Sequence, residues 1–187
     1  MADLYQDKYQ IPSTRLPGYD YGQSGAYFVT ICTKDWQPYF GNIEAPGGNW
    51  DAAFLRPSVL GEKVRKCWAA IPQFAPFVHL DAFILMPDHM HGILLLDKDE
   101  PVGPGTSLQP SGNRFGPQSQ NLASVLRGFK SAVTTYARYH NLEFQWQTRF
   151  HDRVIRSSVE LDKIRNYIIT NPGRWEKELD NGQGLYR

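Results

Sequence analysis

The stretch Met86-Pro87-Asp88-His89-Met90-His91-Gly92, running into Ile93-Leu94-Leu95-Leu96, decides how this chain is read. Pro87-Asp88 is turn chemistry and the apolar run behind it is strand-like. A hairpin is expected, and its returning strand opens with two histidines. Side chains at i and i+2 of a strand share a face. His89 and His91 therefore stand side by side, while Met90 turns the other way into packing. Two neutral imidazoles aimed at one point suit a divalent metal. Two half-buried histidines satisfied by neighbouring carbonyls have the same spacing, so the pattern alone leaves both readings open.

Working outward, residues 78–86 are dense in Val, Leu, Phe and Ile and supply the first arm of that hairpin. Residues 26–33, rich in β-branched and aromatic side chains, are the first strand of the chain. Residues 40–55 have apolar ends around Pro46-Gly47-Gly48-Asn49, which predicts a small hairpin. Ser58 reads as the N-cap of a helix reaching about residue 70, with Glu62 in its first turn. Val59, Leu60, Val64, Cys67, Trp68 and Ile71 fall on one side of it, and Pro72 stops it. Beyond the central hairpin, residues 97–120 are rich in Pro, Gly, Ser and Gln and predict a flexible internal loop. A second helix is expected over 122–139, a fourth strand over 150–155, and a third long helix from Ser158 to Asn171. That helix should end at Asn171-Pro172, because proline disfavours helix at the residue before it, with a short helix following. Residues 1–24, polar and punctuated by Pro17-Gly18, read as an irregular arm.

This order predicts one α+β domain over residues 1–187, of the ferredoxin-like split β-α-β class. The expected architecture is a four-stranded antiparallel sheet with residues 89–96 near its centre. Helices lie mainly on one face and leave the other free for a ligand. The fold alone does not choose a function. At 187 residues and net charge +1, any basic footprint has to be local. Cys32 and Cys67 lack metal or redox spacing. No apolar run approaches a membrane span, and Met1-Ala2-Asp3-Leu4-Tyr5 lacks a signal pattern, so a cytoplasmic location away from membranes is expected. Homodimerisation is left open.

Two further clusters carry chemistry. Between Leu122 and Arg156 there are six Lys or Arg (Arg127, Lys130, Arg138, Arg149, Arg153, Arg156) against two acids. Tyr139, His140, Phe144, Trp146 and Phe150 are interleaved with them. Cations neutralise phosphates and aromatics stack bases, a combination suited to single-stranded nucleic acid; a solvated basic face over core aromatics would look the same. On the third helix, Leu161, Ile164 and Ile168 form a narrow apolar arc, and Tyr167 and Asn171, four apart, stack on one flank beside it. Spacing alone makes them a core-edge tyrosine and a helix-end cap.

Five motifs then occur in order: Phe28-Val29-Thr30-Ile31-Cys32-Thr33, the His89/His91 stretch, Arg127-Gly128-Phe129-Lys130-Ser131, Trp146-Gln147-Thr148-Arg149-Phe150-His151-Asp152, and Arg165-Asn166-Tyr167-Ile168-Ile169-Thr170-Asn171-Pro172. As an ordered set, spanning roughly residues 27–175, they resemble the single-tyrosine transposases of the HUH nuclease superfamily, in particular the REP-associated tyrosine transposases. The resemblance implies that His89 and His91 bind a catalytic Mg²⁺ or Mn²⁺, with Asn171 completing the site. It implies that Tyr167 is the nucleophile, attacking single-stranded DNA to give a 5′-phosphotyrosine, with strand transfer as the reversal. The substrate implied is single-stranded or hairpin DNA, for which Arg127, Lys130, Arg149 and Arg153 are the binding candidates. Tyr136 and Tyr139 are rival tyrosines, since they too lie on a helix beside basic residues. Two other functions use the same residues: a non-catalytic hairpin-binding protein, and a small metal-dependent phosphohydrolase acting through water.

Overall fold

The computed structural model describes residues 19–98 and 120–181. The expected arm and internal loop fall mostly outside the described residues, at 1–18 and 99–119. The last part of the arm turns back on the domain, with Tyr19 and Tyr21 packing edge-on and tilted against Tyr27.

The strands follow the apolar alternation of the sequence. They are β1 (Gly25–Cys32), β2 (Gly41–Glu44), β3 (Phe54–Pro57), β4 (Val78–Leu85), β5 (His89–Leu96) and β6 (His151–Ile155). The helices are α1 (Val59–Ala69), the single turn α2 (Ile71–Phe74), α3 (Leu122–Tyr139) and α4 (Ser158–Asn181). β4, β5, β1 and β6 form one antiparallel sheet in that order, and β2 and β3 pair as the small hairpin between β1 and α1. With the small hairpin set aside, this is the split β-α-β arrangement, with the histidine strand and β1 at its centre. Ser58 caps α1, its hydroxyl accepting from the Gly61 amide at 3.0 Å. Val59, expected on the apolar side, is exposed because it opens the helix ahead of the sheet contact.

α1 and α3 cover one face. Tyr27, Val29, Ile31, Met90 and Leu94 point into them and bury Leu60, Val64 and Trp68 of α1 with Leu126, Phe129 and Val133 of α3. Burial of this area, at about 25 cal/mol per Å² of apolar surface, is the main force holding the layers. The contact is close at Gly92, where a β-carbon would lie 2.3 Å from the Trp68 ring.

α4 lies across the other face, which the sequence reading had left free. Ile164 and Ile168 pack on Phe28, Ile93 and Ile155 in a separate, smaller core. α4 also runs on through Pro172 instead of ending at Asn171. Proline removes one helical N–H, so local preference argues for a stop. Packing overrides it. Pro172 is buried, and next to it α4 lies so close to the turn Trp50–Ala52 that a β-carbon on Gly173 would sit 2.7 Å from the Trp50 carbonyl. The start of α4 is tied to the edge strand. A bulge between Leu80 and Phe83 presents Asp81 to Arg165, whose Nε and Nη2 donate to its two carboxylate oxygens at 2.9 and 2.5 Å.

Candidate active site

Strand alternation puts His89 and His91 on the α4 side of β5, with Met90 buried on the opposite side. The two rings lie 4.7 Å apart, centre to centre. Each is held by its Nδ1. The Asp88 carboxylate is 2.5 Å from that of His89, and the Thr30 hydroxyl is 2.8 Å from that of His91. Thr30 stands opposite His91 in the β1–β5 register, so the cross-strand pairing itself delivers this partner. Asp88 is fixed through its carbonyl, which accepts from the amide and the hydroxyl of Thr33 at 2.8 and 2.9 Å. A ring whose Nδ1 carries the proton offers Nε2 as a lone pair. Burial, with His89 beside it, pushes His91 well below the usual imidazole range and keeps it neutral.

Tyr167 enters from α4. Its hydroxyl is 3.3 Å from His91 Nε2, and its ring stands edge-on to Phe28. Two turns later on the same helix, Trp175 lies 6.1 Å from the His89 ring. Tyr167, Asn171 and Trp175 are spaced by four residues and so form one stripe along α4. One end of the stripe meets His91 and the other meets His89, which sets Asn171 between them. Asn171 is fully buried, and neither its amide oxygen nor its amide nitrogen has a hydrogen-bond partner. Such a group costs about 1–3 kcal/mol per unsatisfied atom unless something binds it. Among the described residues no three His, Cys, Asp or Glu are grouped for a metal. The donors that could hold one are the two Nε2 atoms and the orphaned Asn171 oxygen.

The rival tyrosines lie elsewhere. Tyr136 and Tyr139 are on α3, across the sheet, and Tyr139 is 82% exposed. The expected DNA-binding residues divide between the two faces. Arg127 and Lys130 line a groove of about 500 Å³ between α3 and residues 146–150, with Arg138, Trp146 and Phe150. Its lining carries no carboxylate among the described residues. Lys130 is half sunk in it, donating to the Gln147 carbonyl at 2.6 Å, and burial lowers its pKa. Arg149 is exposed in the segment leading to β6. Arg153 follows the alternation of Ile155 onto the α4 face, where Glu160 holds it at 2.7 Å. The sequence reading missed Asp88 and Thr30 as orienting groups and Trp36 and Trp175 as neighbours of His89. Only the strand register could have found Thr30.

No protein-family model matches the chain. Among solved structures, a REP-associated tyrosine transposase bound to a REP hairpin superposes with TM-score 0.53 and 18% identity, covering 94% of this chain and 89% of that one. A proposed transposase of Deinococcus radiodurans R1 gives TM-score 0.44 at 15% identity, over 82% of this chain and 94% of that one. The fold is thus that of the tyrosine transposases. An uncharacterized protein of Haemophilus influenzae (strain Rd) is 35% identical over 170 residues, 89% of this chain and 90% of that one, and the chain belongs to the same family as this protein.

Proposed function

We propose that this chain is a metal-dependent single-strand DNA nuclease and strand transferase of the REP-associated tyrosine transposase kind, acting on hairpin-containing DNA. The observation that carries the reading is the stripe on α4: a tyrosine hydroxyl 3.3 Å from a neutral, oriented imidazole, with an orphaned amide one turn away. His89, His91 and Asn171 would hold a Mg²⁺ or Mn²⁺, which when bound would polarise the scissile phosphate and offset its charge.

The protein's own groups do the rest. A phenol, with pKa about 10, is a poor nucleophile at neutral pH unless placed in line and given somewhere to send its proton. His91 and Phe28 fix the Tyr167 ring against the sheet. Its oxygen gives up its proton to solvent as it attacks phosphorus, the bond to the 3′ oxygen breaks, and that oxygen takes a proton from solvent and leaves as a 3′-hydroxyl. The 5′-phosphotyrosine conserves the ester, so attack by another 3′-hydroxyl reverses the step and joins strands without an energy cofactor. The Asp88 carboxylate, an acceptor, holds His89 in the tautomer with Nε2 unprotonated, and Thr30 fixes the orientation of the His91 ring through its Nδ1. The groove holding Arg127 and Lys130 supplies the cation-and-aromatic surface for the DNA.

A labelled single-stranded hairpin incubated with Mn²⁺ and then denatured should leave a protein–DNA adduct on a gel. Tyr167→Phe removes one oxygen and should abolish the adduct while leaving folding and hairpin binding intact. Turnover without an adduct would favour the phosphohydrolase, and binding with neither would favour a non-catalytic binder.

A further inference from the structure

His89 has an aromatic neighbour on each of two elements. Trp175 comes from α4, and Trp36 comes from the turn after β1, with ring centroids 6.1 and 6.4 Å from the imidazole. Both indoles are only partly buried. Trp36 also occupies an unusual backbone. It and Asp35 are consecutive residues in the left-handed region, with φ of 55° and 52°. Asp tolerates that region, but a bulky residue there is an outlier that persists only when its surroundings impose it.

The surroundings do impose it. The Thr33 hydroxyl donates to the Gln37 carbonyl at 2.8 Å, the Lys34 amide donates to Gln145, and Thr33 forms a bridge with Trp146. The turn is pinned at both ends, and its effect is to set a tryptophan beside the histidine pair. Lys34, exposed, lies at its base, and Arg174, exposed, precedes Trp175. Indoles with exposed cations close by in the chain, at the rim of the proposed phosphate-cutting site, match the needs of unpaired bases, whose faces stack on aromatic rings whatever their sequence.

We infer that Trp36 and Trp175 form a stacking site for the nucleobases flanking the cleaved phosphate, with Trp36 as its principal platform. The inference rests on the proposed DNA chemistry and adds to it the ligand of the rim: a nucleobase, recognised by its face. Stacking there would hold the single strand across the site and draw the phosphate between the bases toward Tyr167.

The test uses the full chain carrying Tyr167→Phe, so that no strand is consumed. Affinity is measured by fluorescence anisotropy for an oligothymidylate and for an abasic strand with the same phosphates. The base-bearing strand should bind roughly tenfold more tightly, the scale of one base–aromatic stack. Trp36→Leu should lower that ratio several-fold, with Trp175 and the α3 groove keeping the remainder, and Trp36→Phe should keep most of it. Light-driven cross-linking of a 5-iodouracil strand to the protein with Trp36 intact, mapped by mass spectrometry, should mark the peptide containing Trp36. An equal loss on both strands in Trp36→Leu, an unchanged ratio, or cross-links confined to other peptides would overturn the inference while leaving the nuclease reading in place. Failure of Tyr167→Phe protein to bind oligothymidylate or hairpin DNA at all would overturn both.

Discussion

Asn171 offers a test of the site that needs no DNA. Its two side-chain polar atoms are buried and unpartnered. Each should cost the folded protein about 1–3 kcal/mol relative to a partnered group. Leucine has nearly the same shape and carries no polar atom. In the presence of chelator, Asn171→Leu should therefore stabilise the protein by about 2 kcal/mol, an allowance for imperfect fit included. For a chain of this size that is roughly 4–8 °C in Tm. Urea unfolding followed by circular dichroism measures it directly, with the slope m serving to check that the compact state is unchanged. Added Mn²⁺ should then raise the midpoint of the wild type, because a ligand that binds only the folded state stabilises it, and should leave Asn171→Leu nearly unmoved. A variant that is destabilised by more than about 1 kcal/mol in chelator would show that the amide already has partners, and the argument for its role as a metal ligand would go with it.

Three further outcomes are expected. His91 is held neutral by burial and by His89, so its folded pKa lies below its unfolded value. The unfolded chain takes up this proton first, so stability is full above about pH 6.5 and falls as pH drops toward the folded value; urea midpoints should fall less steeply in His91→Gln. Replacing Arg127 and Lys130 together with alanine should weaken hairpin binding and reduce the slope of log K against log salt by up to about 1.8, measured by titration at several salt concentrations. Gly92→Ala places a methyl group 2.3 Å from the Trp68 ring, and should cost about 1–3 kcal/mol in urea unfolding through overpacking.

What could be read from the sequence was whatever one local period controls. The i, i+2 rule put His89 and His91 on one face and Met90 on the other, and the apolar spacing of 122–139 gave α3 its observed ends. What escaped was decided by contacts between distant segments. Pro172 argues locally for a helix end, but the turn at Trp50 and Asp51 lies against α4 just there and the helix continues. Thr30 is an unremarkable strand threonine until register sets it opposite His91. The basic residues of 122–156 looked like one patch because they are close in sequence, yet α3 and β6 send them to opposite faces. Arg127 and Lys130 share a groove with Trp146 and Phe150, while Arg153 is committed to Glu160.

That division between faces has a geometric consequence for any strand that uses both. β6 is an outer strand of the sheet, and residues 146–150 lead into it from the α3 groove. On the proposed function, a DNA molecule anchored by Arg127 and Lys130 and cut by Tyr167 would have to round that edge, spanning the thickness of a sheet and the helix layer above it. The path length is set by the protein, so the cut would fall a fixed number of nucleotides from the anchored stem. The domain would then act as a ruler, choosing its phosphate by distance as well as by the bases beside it.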